Sequence, residues 1–160
     1  MLPAGLHMRD ATPNDLPVLA GLRSSVGWDA LDWALRAAIG SRLGRFVVVT
    51  DGENRPVASG SGMVFAPIGF VGNMVVTEPW RGQGIGAAVL RAVMDHLEAA
   101  GCRRLELYAT ALGRPLYERH GFALVGSSAM AHVPRSAVSG AGTSMLSDAG
   151  TELLGQLSAY

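Results

Sequence analysis

The residues with the plainest chemical potential are Arg81-Gly82-Gln83-Gly84-Ile85-Gly86-Ala87, where glycine fills three alternate positions. Upstream, Ile68 to Thr77 is largely apolar and β-branched, as a buried strand is. Pro79 closes that strand, since it has no N–H to give to a ladder. Downstream, Ile85, Val89, Ala92, Val93, Leu97 and Ala100 recur at helical spacing. The stretch therefore reads as strand, glycine-rich turn, helix. Such a turn gathers backbone N–H groups at a helix N-terminus, where phosphate oxygens bind. Glycine serves there because no Cβ holds the phosphates away and because φ > 0 carries no steric penalty. The Arg81 guanidinium can add a phosphate contact of its own; the plainer role for it is a solvated turn arginine.

Two patterns fit this stretch. Gly82-x-Gly84-x-x-Ala87 matches a dinucleotide fingerprint, with Glu106 about 20 residues on. Arg81-Gly82-Gln83-Gly84-Ile85-Gly86 matches an R-x-x-G-x-G loop. A dinucleotide fold puts its glycines straight after its first strand, yet several strands precede them here, and too little chain follows for a second βαβαβ half. Leu116-Tyr117-Glu118-Arg119-His120-Gly121-Phe122 matches an L-Y-E-x-x-G-F signature. On these motifs, from about Met8 to Val133, the chain resembles the GNAT superfamily of N-acetyltransferases.

The resemblance implies a set of roles. The loop Arg81, Gly82, Gln83, Gly84, Ile85, Gly86 and Ala87 would bind the pyrophosphate of acetyl-CoA. Met74, Val75 and Val76 would offer backbone groups to the pantetheine arm, paired like an added strand. An N–H at Val75 or Val76 would stabilise the oxyanion. Tyr117 would protonate the departing thiolate as general acid; its alternative role is packing between helix and sheet. Thr110 stands where many members carry asparagine, which puts that usual contact in doubt, since a hydroxyl donates one hydrogen bond and not two. The reaction so implied would be transfer of acetyl to a primary amine of a small molecule or peptide, within one ternary complex and with no metal. Two other classes remain: an acyl-CoA sensor without an acceptor, and a supporting half of a tandem protein.

Acceptor and base are less legible. Trp28, Asp29 and Trp33, with Asp32, read as a group on one turn and a half of helix that can hold a cationic amine; core packing is the plainer role for the tryptophans. Asp29, Asp32, Glu78 and Glu118 are candidate bases, each with a capping or surface role as its alternative, and Asn73 cannot serve. His96 reads as solvent-facing on the central helix, His120 as a turn residue and His132 as part of the last strand; none has metal-ligand spacing.

Composition bounds the rest. At 160 residues with 49% hydrophobic and 16% charged, one domain with a sizeable core is expected. Net charge is zero, so nucleic acid is not held by phosphate neutralisation. No apolar run reaches transmembrane length and no secretory leader stands at Met1 to Leu6, so the expectation is a soluble cytoplasmic protein without membrane or nucleic-acid partners. Cys102 is the only cysteine, which excludes an internal disulfide.

The expected order is β-α-α-β-β-β-α-β-α-β-β. It makes an α/β (α+β) GNAT acyltransferase fold, a mixed, mostly antiparallel sheet with helices on both faces. Strands are expected at 6–11, 45–51, 56–65, 68–77, 103–109, 122–126 and 129–133, and helices from Thr12, over 30–42, behind the glycine turn and over 112–120. The domain spans 6–134. Residues 135–160 read as a Ser-, Gly- and Ala-rich linker and a helix over 148–160 with Leu153, Leu154 and Leu157 on one face. Gly27-Trp28 with Asp32-Trp33 resembles the N-terminal half of a bacterial tandem-GNAT group. On that likeness the tail helix would begin a second unit, or dock on a second copy of the chain as a homodimer.

Overall fold

The computed structural model describes residues 2–28, 32–131 and 151–159. They form two compact units, the first ending at Leu107 and the second running from Tyr108 to Ala159.

The first unit is a mixed α/β sheet of five strands. Its elements are β1 (His7–Asp10), a 3-10 turn (Pro13–Asp15), α1 (Leu16–Ser24), α2 (Asp32–Ile39), β2 (Gly44–Thr50), β3 (Pro56–Phe65), β4 (Ile68–Val76), a second 3-10 turn (Glu78–Trp80), α3 (Ile85–Ala99) and the start of β5 (Arg104–Ala109). β1, β2, β3 and β4 pair antiparallel in chain order. β5 pairs parallel to β4, because α3 carries the chain back before it.

Alternation along the strands builds two apolar faces. Phe46, Val48 and Val75 pack with Leu16, Leu19 and Leu22 of α1 and Leu35 of α2. On the other face lies α3, approached so closely that glycine is needed beneath it. A Cβ on Gly60 would collide with Val89 and lie 2.7 Å from the Met74 sulfur, and one on Gly62 would lie 2.9 Å from Val93. Helices thus cover both faces of this sheet.

One buried carboxylate anchors the entry to α1. Asp15 accepts two hydrogen bonds from Arg9 at 2.7 and 2.8 Å, and the Thr12 N–H and hydroxyl both donate to it. Thr12 and Asp15 thereby form a capping box at the 3-10 turn. These bonds, Arg9 foremost, hold the Asp15 carboxyl well below the usual carboxylate range. A depressed folded pKa stabilises above the unfolded value and is lost as pH falls below about 4. Arg9 is 42% exposed, so solvent discounts the pair. Asp15→Asn is expected to cost about 1–2 kcal/mol at pH 7. In urea melts the gap to wild type should shrink steadily below about pH 4; a gap independent of pH refutes the assignment.

The second unit holds the end of β5, α4 (Arg114–Glu118), β6 (Ala123–Ala131) and β7 (Thr151–Ala159). β6 and β7 pair antiparallel, Ala123 opposite Ser158 and Ala131 opposite Thr151. Two expectations are corrected here. The strands expected at 122–126 and 129–133 are one strand, β6. The helix expected over 148–160 is a strand from Thr151 to Ala159. Leu157 and Ala159, two apart, are both buried, a spacing that fits the strand period. The Leu153 to Leu157 spacing of four fits both periods and so misled. With a strand there, the tail does not begin a second unit as a helix. The expected linker falls within 132–150, outside the described residues.

Candidate functional site

The glycine turn is built by backbone conformation. Gly82 and Gly84 sit at φ 75° and 80°, the left-handed region that a side chain disfavours. A Cβ at either would meet no protein atom within 4 Å, so φ, and not a protein neighbour, calls for glycine. Gly84 is the N-cap of α3. The first helical bond runs from the Ala88 N–H to the Gly84 carbonyl at 3.0 Å, which leaves the amides of Ile85, Gly86 and Ala87 without a helical acceptor. Ile85 is buried and roots the helix, while Arg81 to Gly84 are exposed. Two side chains tie the turn to the end of β4: Arg81 Nε donates to the Val76 carbonyl at 3.0 Å, and Gln83 Nε2 to the Pro79 carbonyl at 3.2 Å.

β4 is open alongside that turn. Its ladder with β5 runs only from Ile68↔Arg104 to Phe70↔Glu106, so Val71 to Val76 have no partner on β5 in this unit. On the β3 side, Ser61 faces Gly72 and Ser59 faces Val75, so Asn73 and Met74 together oppose Gly60 in a β-bulge. Asn73 takes φ 52°, a conformation that costs a non-glycine residue about 1–3 kcal/mol unless its surroundings hold it. They do: Arg23 Nη1 donates to Asn73 Oδ1 at 2.6 Å, Asn73 Nδ2 donates to Ser61 Oγ at 2.9 Å, and Ser59 Oγ donates to the Asn73 carbonyl at 3.0 Å. Sequence reasoning missed this group. Gly72-Asn73 inside a strand pattern was the available signal, since both residues favour bulges and positive φ.

Past the bulge the pairing settles which backbone groups face outward. The Thr77 N–H donates to the Val57 carbonyl at 2.9 Å, so Val57 and Thr77 are a hydrogen-bonded pair. By alternation Ala58 and Val76 are not, and the Val76 N–H points away from β3. Val75, opposite Ser59, turns its amide toward β3. The Val76 carbonyl is the group that Arg81 binds.

In the second unit, Tyr117 of α4 is buried, with its ring edge-on to Phe122 at 6.0 Å between centroids. Burial pushes its hydroxyl up to about 12, so it keeps its proton at neutral pH. A Cβ on Gly113 would lie 3.1 Å from Tyr117 Cε2 and 3.6 Å from Thr110 Oγ1, so glycine lets these two side chains share one turn. Thr110 Oγ1 accepts the Gly113 N–H at 3.3 Å.

Of the acceptor group expected at Trp28, Asp29 and Trp33, the Trp28 side chain is the part that lies among the described residues. Trp28 precedes α2, packs against the α1–α2 core and lies 5.4 Å from the Arg23 guanidinium, the protein's own cation. Asp29 lies outside the described residues, as do the side chains of Asp32 and Trp33. Of the candidate bases, Glu78 is exposed and Glu118 pairs with Arg114 at 2.6 Å. His96 is half-buried rather than solvent-facing, with Nε2 enclosed and unpartnered among the described residues. His120 Nδ1 lies 2.8 Å from the Leu116 carbonyl, and His132 falls outside the described residues. Among the described residues no three His, Cys, Asp or Glu side chains converge, and no helix is long and apolar enough to cross a membrane.

Known proteins share this layout. The chain is 31% identical over 118 residues to an aminoglycoside N(6')-acetyltransferase type 1 of Stenotrophomonas maltophilia, covering 66% of this chain and 76% of that one. Its fold matches the ribosomal-protein-S18-alanine N-acetyltransferase of Escherichia coli with a TM-score of 0.74, at 17% identity over 96% of this chain and 92% of that one. It also matches a phosphinothricin acetyltransferase of Sinorhizobium meliloti solved with acetyl-CoA, with a TM-score of 0.69, at 19% identity over 96% and 87%. At such identities the two structures speak for the fold alone. Residues 17–122, from α1 through the glycine turn to Phe122, match the acetyltransferase (GNAT) family, and to that family the chain belongs.

Proposed function

We propose that this protein is an N-acetyltransferase that moves the acetyl group of acetyl-CoA to a primary amine by direct attack in a ternary complex. The observation that carries this reading is the pairing of two features in the first unit. An exposed glycine turn leaves three helix-capping amides without a helical acceptor, and beside it β4, paired to β3, has no partner on β5 in its unit from Val71 to Val76. The amides of Ile85, Gly86 and Ala87, at the positive end of α3, suit a pyrophosphate. Arg81 and Gln83 hold the turn in place from β4. The open edge at Met74 to Val76 suits the amides of a pantetheine arm, which pair as a strand would. Membership of the family and the relative solved with acetyl-CoA support the same co-substrate.

The amine nitrogen attacks the thioester carbonyl, whose oxygen takes up negative charge. Of the Val75 and Val76 amides, that of Val76 is the better placed for this charge, since its N–H points away from β3. The carbon–sulfur bond then breaks. Tyr117 is the acid assigned to the thiolate, and its raised pKa keeps it protonated for that task. The nitrogen loses its proton to solvent or to a base, leaving an amide and free coenzyme A.

The test uses labelled acetyl-CoA with three amines drawn from the relatives' own chemistry: an aminoglycoside, phosphinothricin and a peptide beginning with alanine. A mixed metabolite pool is the fourth arm. A labelled amide, found by mass spectrometry in any arm, supports the reading and names the acceptor. Acetyl-CoA bound in calorimetry but left intact in every arm overturns it in favour of a sensor.

A further inference from the structure

The cluster at Arg23 lies outside the cofactor turn yet holds the same strand. Ser59 and Ser61 are buried polar residues on the face that α1 covers, between apolar neighbours. With Asn73 they satisfy one another, and Arg23 completes the set from the last turn of α1. Arg23 also organises the loop that follows. Its carbonyl accepts the Val26 and Trp28 N–H groups at 3.1 and 3.0 Å, and its guanidinium lies 5.4 Å from the centroid of the Trp28 ring. One residue thus binds the bulge of β4 and the start of the α1–α2 connection. The bulge matters for chemistry because the extra residue sets the parity of everything after it. Without it, the groups of Met74, Val75 and Val76 that face outward and those that face β3 would exchange.

We propose that Arg23 is a positioning residue for acetyl transfer, fixing the Asn73 bulge so that the Val76 amide faces the reacting thioester, and coupling the Arg23–Trp28 loop to that amide. The proposal rests on the acetyltransferase reading above. A ligand that moves the loop moves the guanidinium, and with it the anchor that Asn73 takes from α1.

Hydrogen exchange and kinetics test it together. Arg23→Met keeps the side-chain stem and removes the donors. In that variant the Val75 amide, which faces β3, is expected to exchange about tenfold faster or more, with those of β2 unchanged. Thiol release from acetyl-CoA with the accepted amine should show kcat lowered about tenfold and the KM for acetyl-CoA within about twofold. Arg23→Lys, which restores one donor, recovers part of the loss. Asn73→Gly tolerates the backbone conformation and lacks the anchor, and the double variant with Arg23→Met should fall no further than either single change. Exchange at the wild-type rate overturns the proposal. So does faster exchange with unchanged kcat, or additive losses in the double variant, since Arg23 would then only pack. Wild-type protein that releases no thiol with any amine removes the acetyltransferase reading and this proposal together. Normal wild-type turnover with an unaffected Arg23→Met removes this proposal alone.

Discussion

Gly84→Asp is expected to weaken acetyl-CoA binding by roughly 10²-fold or more while the protein stays folded. The two effects separate because of where Gly84 sits. As N-cap of α3 it meets no protein atom within 4 Å of an added Cβ, so the side chain has room. Its φ of 80° strains any side chain by about 1–2 kcal/mol. A carboxylate at a helix N-terminus returns about 0.3–1 kcal/mol, so the net change in stability is small. The effect on the co-substrate is not small. One more negative charge about 4 Å from a phosphate costs about 4 kcal/mol at an effective dielectric of 20, and solvent at this exposed turn lowers that to roughly 2–4 kcal/mol. Gly84→Asn supplies the control, with the same shape and strain and no charge. Calorimetry of acetyl-CoA against both variants should find aspartate far weaker than asparagine. Equal affinities, with both proteins folded, would sink the assignment of the turn as the pyrophosphate site.

How much of this was legible in the sequence depends on where the determinants lie along the chain. β3 begins at Pro56 and ends at Phe65 as read, because Pro56 and Ala66-Pro67 punctuate it locally. The glycine turn was legible for the same reason: φ > 0 at Gly82 and Gly84 is a property of those residues and their neighbours. The Asn73 bulge was not. It is held by Arg23, 50 residues earlier, and by two serines on another strand, so beyond the Gly72-Asn73 pair its determinants lie far along the chain. The tail failed for a different reason. A four-residue leucine spacing is common to helix and strand, and the partner that decides is β6. Of the group read at Trp28, Asp29 and Trp33, only the Trp28 side chain lies among those described, and it packs against the α1–α2 core. His96, read as solvent-facing on the central helix, is half-buried and lies one residue before the fully buried Leu97.

Tyr117→Phe tests the chemistry rather than the binding. The substitution keeps the ring, its edge-on contact with Phe122 at 6.0 Å and its fit beside Gly113, and removes one oxygen. Acetyl-CoA affinity should therefore stay within about twofold, while turnover falls roughly 10²-fold, the contribution of a positioned general acid. The pH profile adds an independent reading. An acid works only while protonated, and burial raises the Tyr117 hydroxyl to about 12. Wild-type turnover should then show no loss from this group as pH rises through the ordinary tyrosine range near 10. Had the hydroxyl been exposed, kcat would already halve there. The phenylalanine variant should show the same flat alkaline side at its lower level, because the group that would titrate is gone. Thr110→Val separates a neighbouring contribution, since its hydroxyl accepts the Gly113 N–H and so holds the turn around the Tyr117 ring. A Tyr117→Phe enzyme that turns over at the wild-type rate would move the proton to water or to another side chain, and would leave Tyr117 as the packed ring that its burial alone explains.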